Sequence, residues 1–582
     1  KAVNKIVSKE KAETKRKFYV AGKPIIHYEN NASIFREAIR FMFLDSVLIF
    51  VFLFLIFRRL PEVIISFLPV SITVIWTLGI ASLFNITFTS VGTILGPIIM
   101  IAGVGDAMHI ISHYLQEKQN LQDNTKAVLK TIAKAGGPCF FTSLTTAIGF
   151  SSLLISDIAP VRETGLLLAF GVITAYLITM LLIPNILLII PVKAKKLYQN
   201  KIFNFTDRLL NRIGDLNLRK GNMIIALSFI ITALFAVGLF KINVRLKFVD
   251  NFKKHSSIKK SYNFVDKNLS GAETIEIVIK GKEDSFKNPE NLLIIERLDK
   301  LLVSKKYITV VNSINDYLKL INKALHEDND EYYKIPDTKN SIAQSLLLYE
   351  MSGGEKIKDY LTEDYSTARI SARTTGIPYK EFNILKKEIA EHFQETFSVN
   401  ITGTIQIWKT LSSNFVSSLV KSFTLSFLII FGIMSLIFGW KAGILSIVPN
   451  IFPIIISMGL MGFVKIDLNL ATATIAAVIL GIVVDDTIHY FTHFRHELLY
   501  SSNHEEAMKK ALFSVGKAMI FTSIILSSGF FVFIFSETTN ATFFGVLSSI
   551  GIIAALICDL FVGPVLLVKF KVFKASLKKN NQ

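Results

Sequence analysis

The stretch Gly103-Val104-Gly105-Asp106-Ala107-Met108-His109 lies inside one long apolar run, and Gly481-Ile482-Val483-Val484-Asp485-Asp486-Thr487-Ile488-His489 lies inside another. Asp106 and Asp486 are 380 residues apart (486 − 106), and the same shift carries His109 onto His489. Extended outward, it superposes Pro69 on Pro449, Gly79 on Gly459, His113 on His493 and Glu117 on Glu497. It also carries Phe141-Thr142-Ser143 onto Phe521-Thr522-Ser523, Gly149-Phe150 onto Gly529-Phe530, Ser156 onto Ser536, Gly165 onto Gly545 and Pro184 onto Pro564. Apolar composition produces chance matches of Leu and Ile, but not a gapless alignment of prolines, histidines, aspartates and a Phe-Thr-Ser triplet. The chain therefore contains a duplication.

The duplicated material is hydrophobic. Of 582 residues 51% are hydrophobic and only 19% charged, too apolar for a soluble chain of this length. Stretches long enough to cross a bilayer occur at about 41–57, 63–84, 91–114, 138–156, 164–191, 222–240, 415–438, 443–464, 470–494, 516–536 and 543–568, eleven spans in all. The net charge of +19 is concentrated in loops on one side, at Arg58 and Arg59, 118–134, 193–220, Lys441, 495–517 and 569–579. The positive-inside rule places that side in the cytoplasm and accounts for the charge without nucleic acid as a partner. Cys139 and Cys558 both lie in apolar runs, so neither a disulfide framework nor a thiolate metal site is readable.

Five spans form each copy of the repeat, at 35–192 and 413–568, and the extra span at 222–240 restores the orientation, so the blocks are parallel repeats. Residues 193–221 read as a basic amphipathic connector on the cytoplasmic surface, with Phe203, Leu209, Leu210, Ile213 and Leu216 spaced along one helix face, or alternatively as a solvated linker. Residues 569–582 are a basic tail. Two segments are soluble and extracytoplasmic, 1–34 and 241–412. The larger alternates strand-like runs (274–279, 308–311, 368–373, 397–401) with helical ones (289–302, 379–393), which predicts an α+β domain. Ala21-Gly22 parallels Thr402-Gly403, so 1–34 reads as the end of a matching first domain, and the repeat predicts a twelfth span ahead of it.

Asp106, Asp485 and Asp486 are ionisable groups at matched depth in otherwise lipid-soluble helices. Such groups are expensive to insert, face a bundle interior and carry function, here a proton relay. The alternative is a hydrogen-bonded packing role. His109 and His489 follow one turn on and read as relay support or, equally, as interfacial residues. His113 and His493 read as interfacial. Thr142, Ser143, Thr522 and Ser523 read first as helix-packing hydroxyls and second as part of the proton path. No phosphate-loop spacing, catalytic triad or metal-ligand cluster is present, which points away from an ATP-driven pump and from an enzyme.

The two aspartate-histidine motifs, with a large soluble domain inserted between spans, resemble the resistance-nodulation-division superfamily, and within it the hydrophobe-exporter, MMPL-like branch. That resemblance implies a proton-driven secondary transporter without a cofactor, exporting lipids or other hydrophobic molecules from a bacterial inner membrane through ferredoxin-like periplasmic porter domains. It leaves room for a homo-oligomer and periplasmic partner proteins. Asp106, Asp485 and Asp486 match the family's relay positions. The multidrug branch carries its aspartate pair in the first repeat and a lysine in the second, whereas here the pair is in the second. Two alternatives stand within the superfamily. One is a Patched-like sterol sensor, disfavoured by the lack of cysteine in 241–412; the other is a protein-translocation accessory, disfavoured by the size of that domain.

Overall fold

The structure is a computed structural model. It describes residues 2–573, apart from 87–88, 90–91, 122, 192–200, 245–247, 376, 378, 394–396 and 502. Two compact units emerge, one made of Lys1–Tyr28 with Lys247–Ser413, the other of Glu29–Leu246 with Asn414–Gln582.

Among the described residues, eleven helices are long and apolar enough to cross a membrane. The first block holds α1 (Lys23–Phe57), α2 (Leu60–Leu83), α3 (Leu95–Asn120), α4 (Asn124–Ser151) and α5 (Ala159–Ile189), and α6 spans Lys201–Leu239. The soluble unit contributes α7 (Ser257–Asn268), α8 (Pro289–Val303), α9 (Ile314–Leu325), α10 (Lys339–Met351) and α11 (Tyr379–Phe393). The second block holds α12 (Thr404–Phe438), α13 (Trp440–Phe463), α14 (Leu470–Leu498), α15 (His504–Phe531) and α16 (Thr539–Ile557), which runs through a π-helical turn at Cys558–Val562 into α17 (Gly563–Phe570).

The duplication reaches the ends of elements. α2 and α13, and α4 and α15, begin and end at positions related by the same shift, as do the 3-10 turns Ser152–Ile155 and Val532–Phe535. Among the described spans the third of each block is the most enclosed: 94% of its apolar window is buried in α3 and 89% in α14, against at most 67% in the others. A helix wrapped by protein has no lipid-facing stripe, so it can carry polar groups on several faces.

Within α6 the helix breaks at Lys220, where a φ of −124° and a ψ of 24° leave helical geometry, so a connector helix ends and the span that follows it begins at this kink. Of the expected apolar face, Leu210 and Ile213 are buried, while Leu209 and Leu216 are exposed. Leu210 fills the notch left by Gly516, whose added Cβ would come within 2.7 Å of it. Lys517 pairs with Asp207 at 2.5 Å. Residues 193–200 and 574–582 of the expected connector and tail lie outside the described residues.

In the soluble unit, β1 (Glu273–Lys280), β2 (Ile308–Asn312), β3 (Thr367–Thr374) and β4 (Ser398–Thr402) form one antiparallel sheet in the order β2-β3-β1-β4. With α8 after β1 and α11 after β3, this is the ferredoxin-like βαββαβ arrangement. α9 and α10 are an insertion between β2 and β3 that strand periodicity did not reveal. Ile275, Ile277 and Ile279 alternate inward from β1. They meet Leu292, Ile295, Leu298 and Leu302, spaced three and four apart on α8. Gly403 (φ +102°) turns the chain from β4 into α12 in a position where a Cβ would strike the Thr274 carbonyl at 2.7 Å, and Gly22 (φ +132°) makes the corresponding turn into α1.

Candidate functional site

The site lies where α3 and α14 face each other across the repeat axis. Small residues set the distance. Gly103 leaves room for Ala175 and Val70, and Gly105 presents bare backbone to Asp485, whose Oδ2 would be 3.7 Å from any added Cβ. α4 crosses α14 at Gly149 and Gly481, where a Cβ on Gly149 would lie 2.9 Å from the Gly481 Cα. Thr146 fixes that crossing by donating its hydroxyl to the Gly481 carbonyl at 2.6 Å. α14 starts from a capping box between Asn469 and Thr472.

The three aspartates occupy two environments. Asp106 and Asp485 line one small cavity of about 30 Å³ together with Gly105, Ser143, Thr146 and Thr522, room for a water or two. Asp106 is 8% exposed and accepts a hydrogen bond from the Ser143 hydroxyl at 2.8 Å. Asp486, also 8% exposed, accepts one from Ser523 at 3.1 Å. The hydroxyls of Thr142 and Thr522 instead bond back to their own helices, to the carbonyls of Cys139 and of Ala518 and Met519.

The histidines come together in pairs. His109 and His489 stack with centroids 4.0 Å apart and planes 7° apart; His113 and His493 stack at 5.6 Å and 8°. His489 Nε2 is 3.3 Å from Asp485 Oδ1, outside hydrogen-bond alignment. Towards the basic end, Glu117 is held by Lys130 at 2.9 Å and Lys134 at 2.5 Å.

Further carboxylates are buried in the membrane unit besides those of the two motifs: Asp45 and Asp559 inside the spans, and Glu37 and Glu62 nearer the span ends. Asp559 sits in the π-helical turn and accepts from the Thr487 hydroxyl at 2.7 Å, next in chain to Asp486. Asp45 on α1 is fully buried beside Gly529, and neither of its oxygens has a hydrogen-bond partner among the described residues. Neither Asp45 nor Asp559 falls on an acid under the repeat shift, so the symmetry that marks the other aspartates does not mark these. Among the described residues no group of three or more His, Cys, Asp or Glu is arranged to hold a metal ion.

A doubled five-span block with enclosed central helices, joined to a ferredoxin-like domain, defines a multi-pass integral membrane protein, and its arrangement is similar to that of the resistance-nodulation-division superfamily. Within it the first part of the chain, residues 1–214, matches the MMPL family, and residues 386–572 match the C-terminal domain of the protein export membrane proteins SecD/SecF. Members of these families are generally transporters rather than enzymes. A membrane protein of the archaeon Methanocaldococcus jannaschii is 24% identical over 377 residues, covering 62% of this chain and 93% of the relative. The structure resembles that of SecDF, a translocon-associated membrane protein from Thermus thermophilus, with a TM-score of 0.59 and 14% identity over 92% of this chain. The chain spans 62% of the length of that structure.

Proposed function

We propose that this protein is a proton-driven exporter of lipids or other hydrophobic or amphiphilic molecules, working in a prokaryotic cytoplasmic membrane with its soluble unit on the outer side. The observation that carries the reading is the shared cavity of Asp106 and Asp485, acids from opposite halves of the repeat. Carboxyls that face each other in an enclosed space respond strongly to one another's charge. Loading or discharging them changes the repulsion between the halves, and that is a means of converting proton movement into rocking of one block against the other. Asp486, held by Ser523, completes the relay in the second half. The MMPL match favours a hydrophobic cargo.

The test is flux of a lipid substrate in proteoliposomes under an imposed pH gradient, with the substrate chosen by mass spectrometry of co-purified lipids. Asp106→Asn and Asp486→Asn should each abolish flux while leaving insertion intact; unchanged flux in both removes the relay. A second reading, assistance to protein translocation across the membrane, is favoured by the SecD/SecF match over 386–572. Restoration of protein export in cells lacking a SecDF-type protein, lost again with Asp106→Asn, would select it.

A further inference from the structure

Below the carboxylate cavity, towards the basic end of the bundle, a second and much larger space opens. It is a vestibule of about 630 Å³, and His109 and His113 are in its wall along with Gln116, Ser514 and Lys517. The carboxylate cavity holds Asp106 and Asp485 but none of the histidines. The stacked pair His109–His489 therefore stands between the two spaces. Both rings are buried, and His109 Nε2 and both ring nitrogens of His489 lack hydrogen-bond partners among the described residues. A buried polar atom without a partner is costly and calls for an explanation. Here the explanation is that these atoms are partnered only while a proton or a water is passing.

We infer that the His109–His489 pair is a proton-conducting septum between the vestibule and the carboxylates, and that the vestibule is the cytoplasmic proton exit. An imidazole takes a proton on one nitrogen and releases one from the other, so a ring set between two wet spaces passes protons without leaving its place. His489 Nε2 is 3.3 Å from Asp485 Oδ1, the carboxyl that hands the proton to the pair on its way to the vestibule. His113 and His493 continue the column outward, with Ser514 3.4 Å from His493 Nδ1.

Charges facing the column are largely balanced. Glu117 binds Lys130 and Lys134, Lys517 binds Asp207, Lys509 binds Asp215, and Lys510 binds Glu506. That leaves Asp485 on α14 as the anion adjoining His489, with Asp106 across the cavity and Glu497 in the vestibule wall. Two imidazolium rings 4 Å apart would repel strongly, so the stack carries one proton at a time.

The inference rests on the carboxylates being the coupling site, and its test separates the two. Flux under a pH gradient is compared for His109→Phe/His489→Phe and for His109→Gln/His489→Gln. Phenylalanine keeps the stacking but cannot carry a proton; glutamine breaks the stack but can hold a bridging water. A conducting septum predicts at least a tenfold loss with the phenylalanines and a smaller loss with the glutamines. Wild-type flux with the phenylalanines, or glutamines worse than phenylalanines, would make the rings packing elements and overturn the inference. Should the double variants not insert, His489→Phe against His489→Gln gives the same ordering test. Asp106→Asn serves as the control: if it retains flux the coupling site itself is misassigned, whereas loss there with normal flux in the phenylalanine pair sinks the septum alone.

Discussion

Ser143 Oγ lies 2.8 Å from Asp106 Oδ2, and an identical step of 37 residues puts Ser523 Oγ 3.1 Å from Asp486 Oδ2. Each hydroxyl is the hydrogen-bond donor to a buried acid, a bond that contributes about 1.5–3 kcal/mol when the acid is charged. Ser143→Ala should cut gradient-driven flux roughly tenfold or more, by conversion of that energy at about 1.4 kcal/mol per decade. Ser143→Thr should recover most of it. Neighbouring Thr142→Val, which removes only a bond within one helix, should change flux less than twofold. Flux measured side by side in liposomes checks the ordering.

Asp45 gives the opposite signature. A carboxyl with two unpartnered oxygens in a protein interior costs stability, on the order of 1–3 kcal/mol. The near-isosteric Asp45→Leu should raise the thermal unfolding midpoint in detergent by a few degrees. A lowered midpoint would mean that this acid has a partner in the ground state.

At the α6–α13 crossing, backbone meets backbone. A methyl on Gly238 would drive into the Gly459 carbonyl, one on Gly459 into the Phe235 carbonyl, and one on Gly462 into the Gly238 carbonyl. Gly238→Ala must separate the two helices, and an overpacked core loses about 1–3 kcal/mol or more. The unfolding midpoint should fall, whereas Gly79→Ala, at a position with open space, should leave it within a degree.

The soluble unit carries its own pH dependence. Burial, with Asp316 adding to it, pushes Asp299 from the usual 3.8 to about 7, against the Ser313 hydroxyl that donates to it at 2.7 Å. Folded protein then holds a proton between about pH 4 and 7 that unfolded chain has released, so stability is full below pH 4 and declines as pH rises through 7. The penalty reaches roughly 4 kcal/mol above that range. Asp299→Asn should flatten the decline. Hydrogen exchange of the β1 amides, corrected for intrinsic rates, should be slower in the variant at pH 8 and equal at pH 4.

The duplication made the membrane blocks legible because a 380-residue shift aligns residues that apolar drift cannot align. In the soluble unit, Ile275, Ile277 and Ile279 announce a half-buried strand by their spacing alone. Of the two inserted helices, α10 is not announced, since 339–351 mixes Ser, Gln and Leu without a clear face, whereas α9 is legible in the Ser313–Asp316 capping box and in Ile314, Leu318 and Ile321 spaced along one face. At the site, Asp106, Asp486 and both histidines follow from the symmetry. The choice of Ser143 over Thr142 does not, because the two are adjacent and only helix rotation decides which one points across the gap. Asp45 and Asp559 are products of divergence between the copies: their counterparts are Leu425 and Thr179.

Divergence also touches the helix crossings. Under the repeat, Gly149 against Gly481 corresponds to Gly529 against Ile101, so one crossing is glycine on glycine and the other has an isoleucine wedged in it, with Cδ1 2.6 Å from where a Cβ on Gly529 would stand. The first is stiff, backbone against backbone and pinned by Thr146; the second is padded by a side chain with rotamers to spare. A rocking of the halves of the kind proposed above would pivot on the rigid contact as on a fulcrum. Its travel would fall on the padded flank, where Asp45 and Ile101 both border Gly529.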